Sequence, residues 1–134
     1  MGRRHTTLAA CALLMTLAAK GAQAQRIGIS AEPLQIFDDP GVPSKEFRVL
    51  RTSYAPGGQN PRHRHASHVV FYVLEGAGVW QEDGKEPVTL RAGDSLHVHP
   101  GVIHSHRNAS SSAKLVFLEF VIVGKGQSST IPMQ

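Results

Sequence analysis

Hydrophobic and polar positions in this chain alternate in short runs separated by turn residues. Residues 46–53 put Phe47 and Val49 on one face and Arg48, Leu50 and Thr52 on the other, the period of two that marks a strand. Before them, the apolar run at 34–37 ends in Asp38, Asp39, Pro40 and Gly41, a strand followed by a turn. Residues 55–61 read as a Gly/Pro/Asn loop that delivers the chain to His63. Residues 67–74 form a strand with apolar side chains on both faces, which predicts cover on both sides. A return strand follows at 77–81, then an Asp83-Gly84 hairpin turn and a short strand at 87–90. Further strands are expected at 95–99, stopped by Pro100 and Gly101, at 102–107, and at 114–123. Residues 124–134 are expected to be a flexible tail. No segment after residue 24 carries a helical period. Many short strands at close spacing predict an all-β barrel or double-sheet jelly roll.

The first 24 residues stand apart from this pattern. Arg3, Arg4 and His5 make a basic start, residues 8–19 are apolar but too short to span a bilayer, and Ala22-Gln23-Ala24 is a small-x-small cleavage site. They read as a secretory signal peptide cut after Ala24, so the mature protein is expected in the periplasm or secreted, with no stable membrane association. The Arg3-Arg4 pair hints at twin-arginine export, whereas the following His5-Thr6-Thr7-Leu8 fits that route poorly, and both export routes stay open.

Cleavage changes two bounds. Cys11, the single cysteine, is lost, which excludes a disulfide, a cysteine-ligated zinc site and a cysteine nucleophile from the mature chain. Arg3, Arg4 and Lys20 go as well, so 14 basic residues fall to 11 against 10 acidic ones, a net of +1. The basic balance of the whole chain thus belongs largely to the export segment, and nucleic-acid binding loses its support. At 134 residues in all, the remainder is one domain with one modest core.

Histidine is the chemistry that stands out. Seven of the eight fall between residues 63 and 106. His63 and His65 share one face of an extended strand, so both rings can point at one spot. His68, three residues after His65, has the wrong parity to join them unless a bulge re-aims it. His97 and His99 share a face opposite Leu96 and Val98, and are expected to point out or toward a partner subunit. His106 shares parity with His104; it reaches the cavity as a hydrogen-bond donor or acid/base group, or else faces outward. Phe71 and Val73 are expected along the pocket wall. Arg62 and Arg64 flank His63 at the rim or in solvent. Asn108 is expected to close a turn; Glu119, mid-strand among apolar residues, is either a general base inside the cavity or, as the preferred reading, faces outward.

These residues carry a resemblance. Gly57-x5-His63-x-His65, followed by Gly76, is similar to the first motif of the cupin superfamily; Gly93-x7-Gly101-x2-His104-x3-Asn108 is similar to the second. The resemblance covers residues 54–123 and implies a single cupin-type jelly-roll β-barrel, often dimeric, with one metal held inside. It divides the chain into the signal peptide (1–24), N-terminal strands (25–53), the core barrel (54–123) and the tail (124–134). Residue by residue it implies His63, His65 and His104 as metal ligands. The family's glutamate ligand falls at Val69, which cannot bind a metal, and His99 stands where the family usually has proline.

Three readings of that gap follow: a three-histidine site, a site with His68 as fourth ligand, or a site that has lost its metal. The first resembles cupin dioxygenases that hold iron on three imidazoles. The expectation is a periplasmic, metal-dependent, dioxygenase-like enzyme acting on a small organic molecule. Its cofactor is a divalent ion, iron favoured, with manganese, zinc or nickel as alternatives. His106 is the candidate catalytic group, and a homodimer is expected from family habit. A non-catalytic ligand- or metal-binding module and a metal-dependent isomerase or decarboxylase are the competing readings.

Overall fold

The computed structural model describes residues 26–133; the expected signal peptide lies outside the described residues. Those residues form nine strands: β1 (Ile27–Asp38), β2 (Lys45–Arg64), β3 (Val69–Glu75), β4 (Ala77–Glu82), β5 (Val88–Arg91), β6 (Ser95–Val98), β7 (His104–Asn108), β8 (Leu115–Gly124) and β9 (Ile131–Pro132). They hydrogen-bond in the order β5-β4-β7-β2-β8-β3-β6, with β1 and β9 added alongside β2. Every pairing is antiparallel. The two end strands, β5 and β6, are consecutive in sequence. The turn between them is tied to β3 by Gly93 N–H donating to Val73 O and Val73 N–H donating to Asp94 O, both 2.9 Å. The sheet therefore curls into a nearly closed jelly-roll barrel, which removes most of its free edge.

Strand β2 organises the barrel and departs from the sequence reading. Residues 55–61, expected as a loop, continue it. Its first half pairs with β1 and β8, its second half with β7 and β9. A register shift between Asn60 and His63 marks a bulge. Before it, even-numbered residues face in: Thr52, Tyr54 and Asn60 are buried. After it, odd-numbered ones do: His63 and His65 are buried, while Arg62 and Arg64 are exposed. One extra residue reverses the inward parity.

The core lies between the curled halves and is built from alternating positions, with Tyr54, Phe71, Trp80, Val98, Leu115 and Phe117 at its centre. Strand β3 shows the alternation most clearly. Val69, Phe71 and Val73 are fully buried, whereas Val70, Tyr72 and Leu74 are 38–42% exposed. The expectation that both faces of this strand are covered is corrected: its outer face stays open among the described residues, because the barrel has one interior.

Two further expectations are overturned. Glu119, expected outward, shares the inward parity of Leu115, Phe117, Val121 and Val123 on β8 and is buried. The tail does not fray. Strand β9 pairs with β2 at His63 and Arg64, and Met133 N–H donates to Arg62 O at 3.0 Å. The end of β2 offers unpaired backbone groups, and the tail satisfies them.

Candidate metal centre

The β2–β7 pairing brings the two histidine motifs together. His63 lies opposite His104 and Asn60 opposite His106. His65 follows directly after β2. All four rings are buried, at 1% exposure for His63, 2% for His65, 1% for His104 and 4% for His106. Ring centres are 4.3 Å apart for His63–His104, 5.0 Å for His63–His65 and 5.1 Å for His65–His104. Imidazoles whose nitrogens each lie about 2.1 Å from one cation, at octahedral or tetrahedral angles, have centres about 4.6–5.3 Å apart. The trio matches that spacing to within a few tenths of an ångström.

Hydrogen bonds select which nitrogen of each ring is free. His63 Nδ1 bonds Pro61 O at 2.7 Å, His65 Nδ1 bonds Ser129 O at 2.7 Å, and His104 Nδ1 bonds Val102 O at 3.1 Å. A carbonyl accepts only, so each Nδ1 carries the proton and each Nε2 keeps its lone pair. Those three Nε2 atoms are buried and have no hydrogen-bond partner. Buried polar atoms are ordinarily paired, and a ring clamped through one nitrogen with the other bare is the arrangement of a metal ligand. The three also stay neutral. Burial lowers His63 to about 3 and His65 to about 4, and lowers His104 as well.

His106 belongs to the cluster on different terms. By nitrogen position it is His106, and not His65, that groups with His63 and His104, each of the three offering an atom within 4.8 Å of the others. Its Nδ1, however, sits 2.8 Å from the Tyr54 hydroxyl. Its ring stacks on Trp80, centres 5.3 Å apart and planes at 18°. Burial raises the Tyr54 pKa, keeping the phenol protonated as a donor, and pushes His106 well below its ordinary value. The Tyr54 hydroxyl can donate to Nδ1 or accept from it, and donation puts the His106 proton on Nε2.

Tyr54 escaped the sequence reading, and Glu119 takes the inward position that was not the preferred one. Tyr54 orients His106, and its inward parity on β2 was the available signal. Glu119 has an Oε1 with no partner, and burial raises its pKa to about 7, offset by a hydrogen bond from the Ser129 side chain and by Arg26 and Arg48. Ser129 thus links Glu119 through its side chain and His65 through its carbonyl.

A pocket of about 240 Å³, with Trp80, Val88, Leu96 and Val98 on its apolar side and Glu82, Lys85 and Glu86 on its charged side, reaches His104 alone of the four buried histidines. The larger groove along β1, about 760 Å³, touches none of the histidines. The remaining site candidates fall elsewhere. Val69, at the position of the expected carboxylate, packs in the core. His68, the candidate fourth ligand, is corrected: no bulge re-aims it, and it lies exposed on the outer surface beside His97 and His99. Asn108 is buried; its Nδ2 donates to Ala55 O at 3.1 Å and Ala113 O at 2.8 Å, and its Oδ1 accepts from Ser110 N–H, closing the loop before β8.

Fold and site together define a jelly-roll protein with a buried, histidine-lined interior. Residues 50–124 match the Cupin domain family model, and the chain belongs to that family. It is 31% identical over 97 residues to germin-like protein 1-1 of Oryza sativa subsp. japonica, covering 69% of this chain and 44% of the relative. It is 30% identical over 96 residues to a gentisate 1,2-dioxygenase of a Streptomyces species, covering 66% and 27%. It is 36% identical over 72 residues to quercetin 2,3-dioxygenase of Bacillus subtilis (strain 168), covering 53% and 21%. The chain therefore spans less than half the length of these relatives. A cupin-like protein from Thermotoga maritima shares the fold, with a TM-score of 0.62, 22% identity and 89% of each chain covered.

Proposed function

We propose that this chain is a metal-dependent cupin enzyme of dioxygenase-like type, acting on a small organic acid, diketone or phenol. The observation that carries the reading is the trio of bare, buried Nε2 atoms on His63, His65 and His104, each ring clamped at Nδ1 by a backbone carbonyl. These three would hold one divalent ion, iron favoured, with manganese, zinc or nickel as alternatives. A divalent ion there supplies Lewis acidity and, with iron, redox chemistry toward dioxygen. His65 is preferred to His106 as third ligand because its Nδ1 is clamped by a carbonyl and its Nε2 is bare; for His106 we assign Tyr54 as the donor to Nδ1, which leaves an N–H at Nε2. That N–H is the group we assign to hydrogen-bond a substrate atom. Trp80, Leu96 and Val98 form the apolar wall that excludes water and admits a small substrate. Three neutral ligands leave the ion's double charge uncompensated, which favours anionic substrates. The similarity to gentisate and quercetin dioxygenases supports the reaction class.

Export to the periplasm or beyond is part of this reading and rests on the sequence of residues 1–24. So is a homodimer, the assembly that the cupin resemblance implies.

Elemental analysis of the full chain, followed by oxygen-electrode assays across small acids, diketones and phenols, tests the proposal. One divalent ion per chain and oxygen uptake are expected, both lost in His63→Ala and His104→Ala. Wild-type turnover in those variants overturns it. Bound metal with no turnover on any substrate favours a binding module instead, and turnover without oxygen uptake favours isomerase or decarboxylase chemistry.

A further inference from the structure

The barrel carries a second histidine trio, on its outside. His68 directly precedes β3, and β3 pairs antiparallel with β6 at Val69↔Val98 and Val70↔His97. Val69 and Val98 point inward, at 0% and 1% exposure. Their neighbours must then point outward, so His97 and His99 lie two apart on the outer face of β6 and His68 stands across from them on β3. All three are exposed. Each offers a ring nitrogen within 4.8 Å of the other two. Ring centres are 4.4 Å apart for His97–His99, 5.0 Å for His68–His97 and 5.5 Å for His68–His99. His68 Nδ1 and His97 Nε2 are 2.8 Å apart.

That last distance is informative. Two nitrogens at about 2.1 Å from one cation, a right angle apart, are separated by about 3.0 Å. The paired strands thus hold two donor atoms close to their separation in a complex, and the third ring stands within reach. The hydrogen bond now joining them is exchanged for two metal bonds by moving one N–H proton to the other nitrogen of its ring. Three imidazoles on a rigid strand pair, with solvent completing the coordination, suit late first-row divalent ions, copper(II) above nickel(II) and zinc(II).

We propose that His68, His97 and His99 form a surface binding site for a late first-row divalent cation, copper(II) most tightly, separate from the histidine cluster inside the barrel. The inference does not depend on the interior site being catalytic. Exchange with solvent makes the outer site the labile one.

The test is a copper(II) titration of the full chain by calorimetry, with glycine as competing chelator, for wild type and for His97→Ala/His99→Ala. Both substitutions are at exposed positions, and circular dichroism checks the fold. The double variant is expected to lose one copper(II) equivalent, or to bind it at least tenfold more weakly, while interior metal content by elemental analysis is unchanged. His68→Ala alone should weaken the same equivalent. Unchanged copper(II) stoichiometry and affinity in the double variant overturns the proposal. So does a double variant that changes only the sedimentation behaviour of the chain, which would make the trio a contact between copies.

Discussion

At the residue scale, the interior histidines owe their chemistry to where their second nitrogens go. A carbonyl fixes the tautomer, burial keeps the ring neutral, and the free lone pair on Nε2 is then left without a hydrogen-bond partner in the interior. Tyr54→Phe removes the donor that sets the His106 tautomer. The substitution is expected to cost about 1 kcal/mol of stability, measured by urea denaturation. It should also lower kcat more than KM if His106 Nε2–H serves the substrate. Glu119 gives a pH prediction of definite sign. Its folded pKa of about 7 lies above the ordinary 4.5, so its favourable contribution is present below pH 4.5 and lost as pH rises through 7. Glu119→Gln is therefore expected to gain stability relative to wild type at pH 8 but not at pH 4, read as the difference in thermal midpoint. Equal differences at both pH values would exclude a buried, protonated carboxyl.

At the scale of elements, the bulge in β2 and the return of β9 build the site as much as the ligands do. The bulge converts even-in to odd-in parity between Asn60 and His63, and Ser129, in the segment leading to β9, supplies the carbonyl that anchors His65. Removing residues 128–134 is expected to leave the barrel folded but to weaken metal retention by about 10–100-fold, measured by chelator competition. The β3–β4 turn makes the opposite kind of prediction, one of stability without function. Gly76 adopts φ +78°, and a Cβ there would lie 2.4 Å from Lys114 O. Gly76→Ala should destabilise the chain by about 1–3 kcal/mol in urea denaturation, with metal stoichiometry unaltered.

At the scale of the whole molecule, the four buried histidines make the metal-free protein acid-sensitive. Their folded pKa values are depressed, to about 3 for His63 and about 4 for His65, below the ordinary 6.5. The unfolded chain therefore binds more protons below pH 6.5, and stability falls with pH from there down through 4. Glu119 acts in the opposite sense between pH 4.5 and 7 and is outnumbered. The thermal midpoint of metal-stripped protein should thus drop between pH 6.5 and pH 4, and a bound divalent ion should hold it up until protons displace the ion.

The sequence by itself determined the all-β class and nearly every strand, because period-two patterning and turn residues are local signals; the convergence of residues 63–65 with residues 104–106 was implied only by the resemblance of the two motifs to the cupin superfamily. Tertiary structure decided the rest. Residues 55–61 carry loop composition yet run as strand, since pairing with β7 outweighs local preference. The parity of Glu119 was visible, but not which parity faced in; that depends on how β8 registers between β2 and β3. The tail's role and the Tyr54–His106 contact arise between segments distant in sequence, where alternation along one strand says nothing about which neighbour it meets.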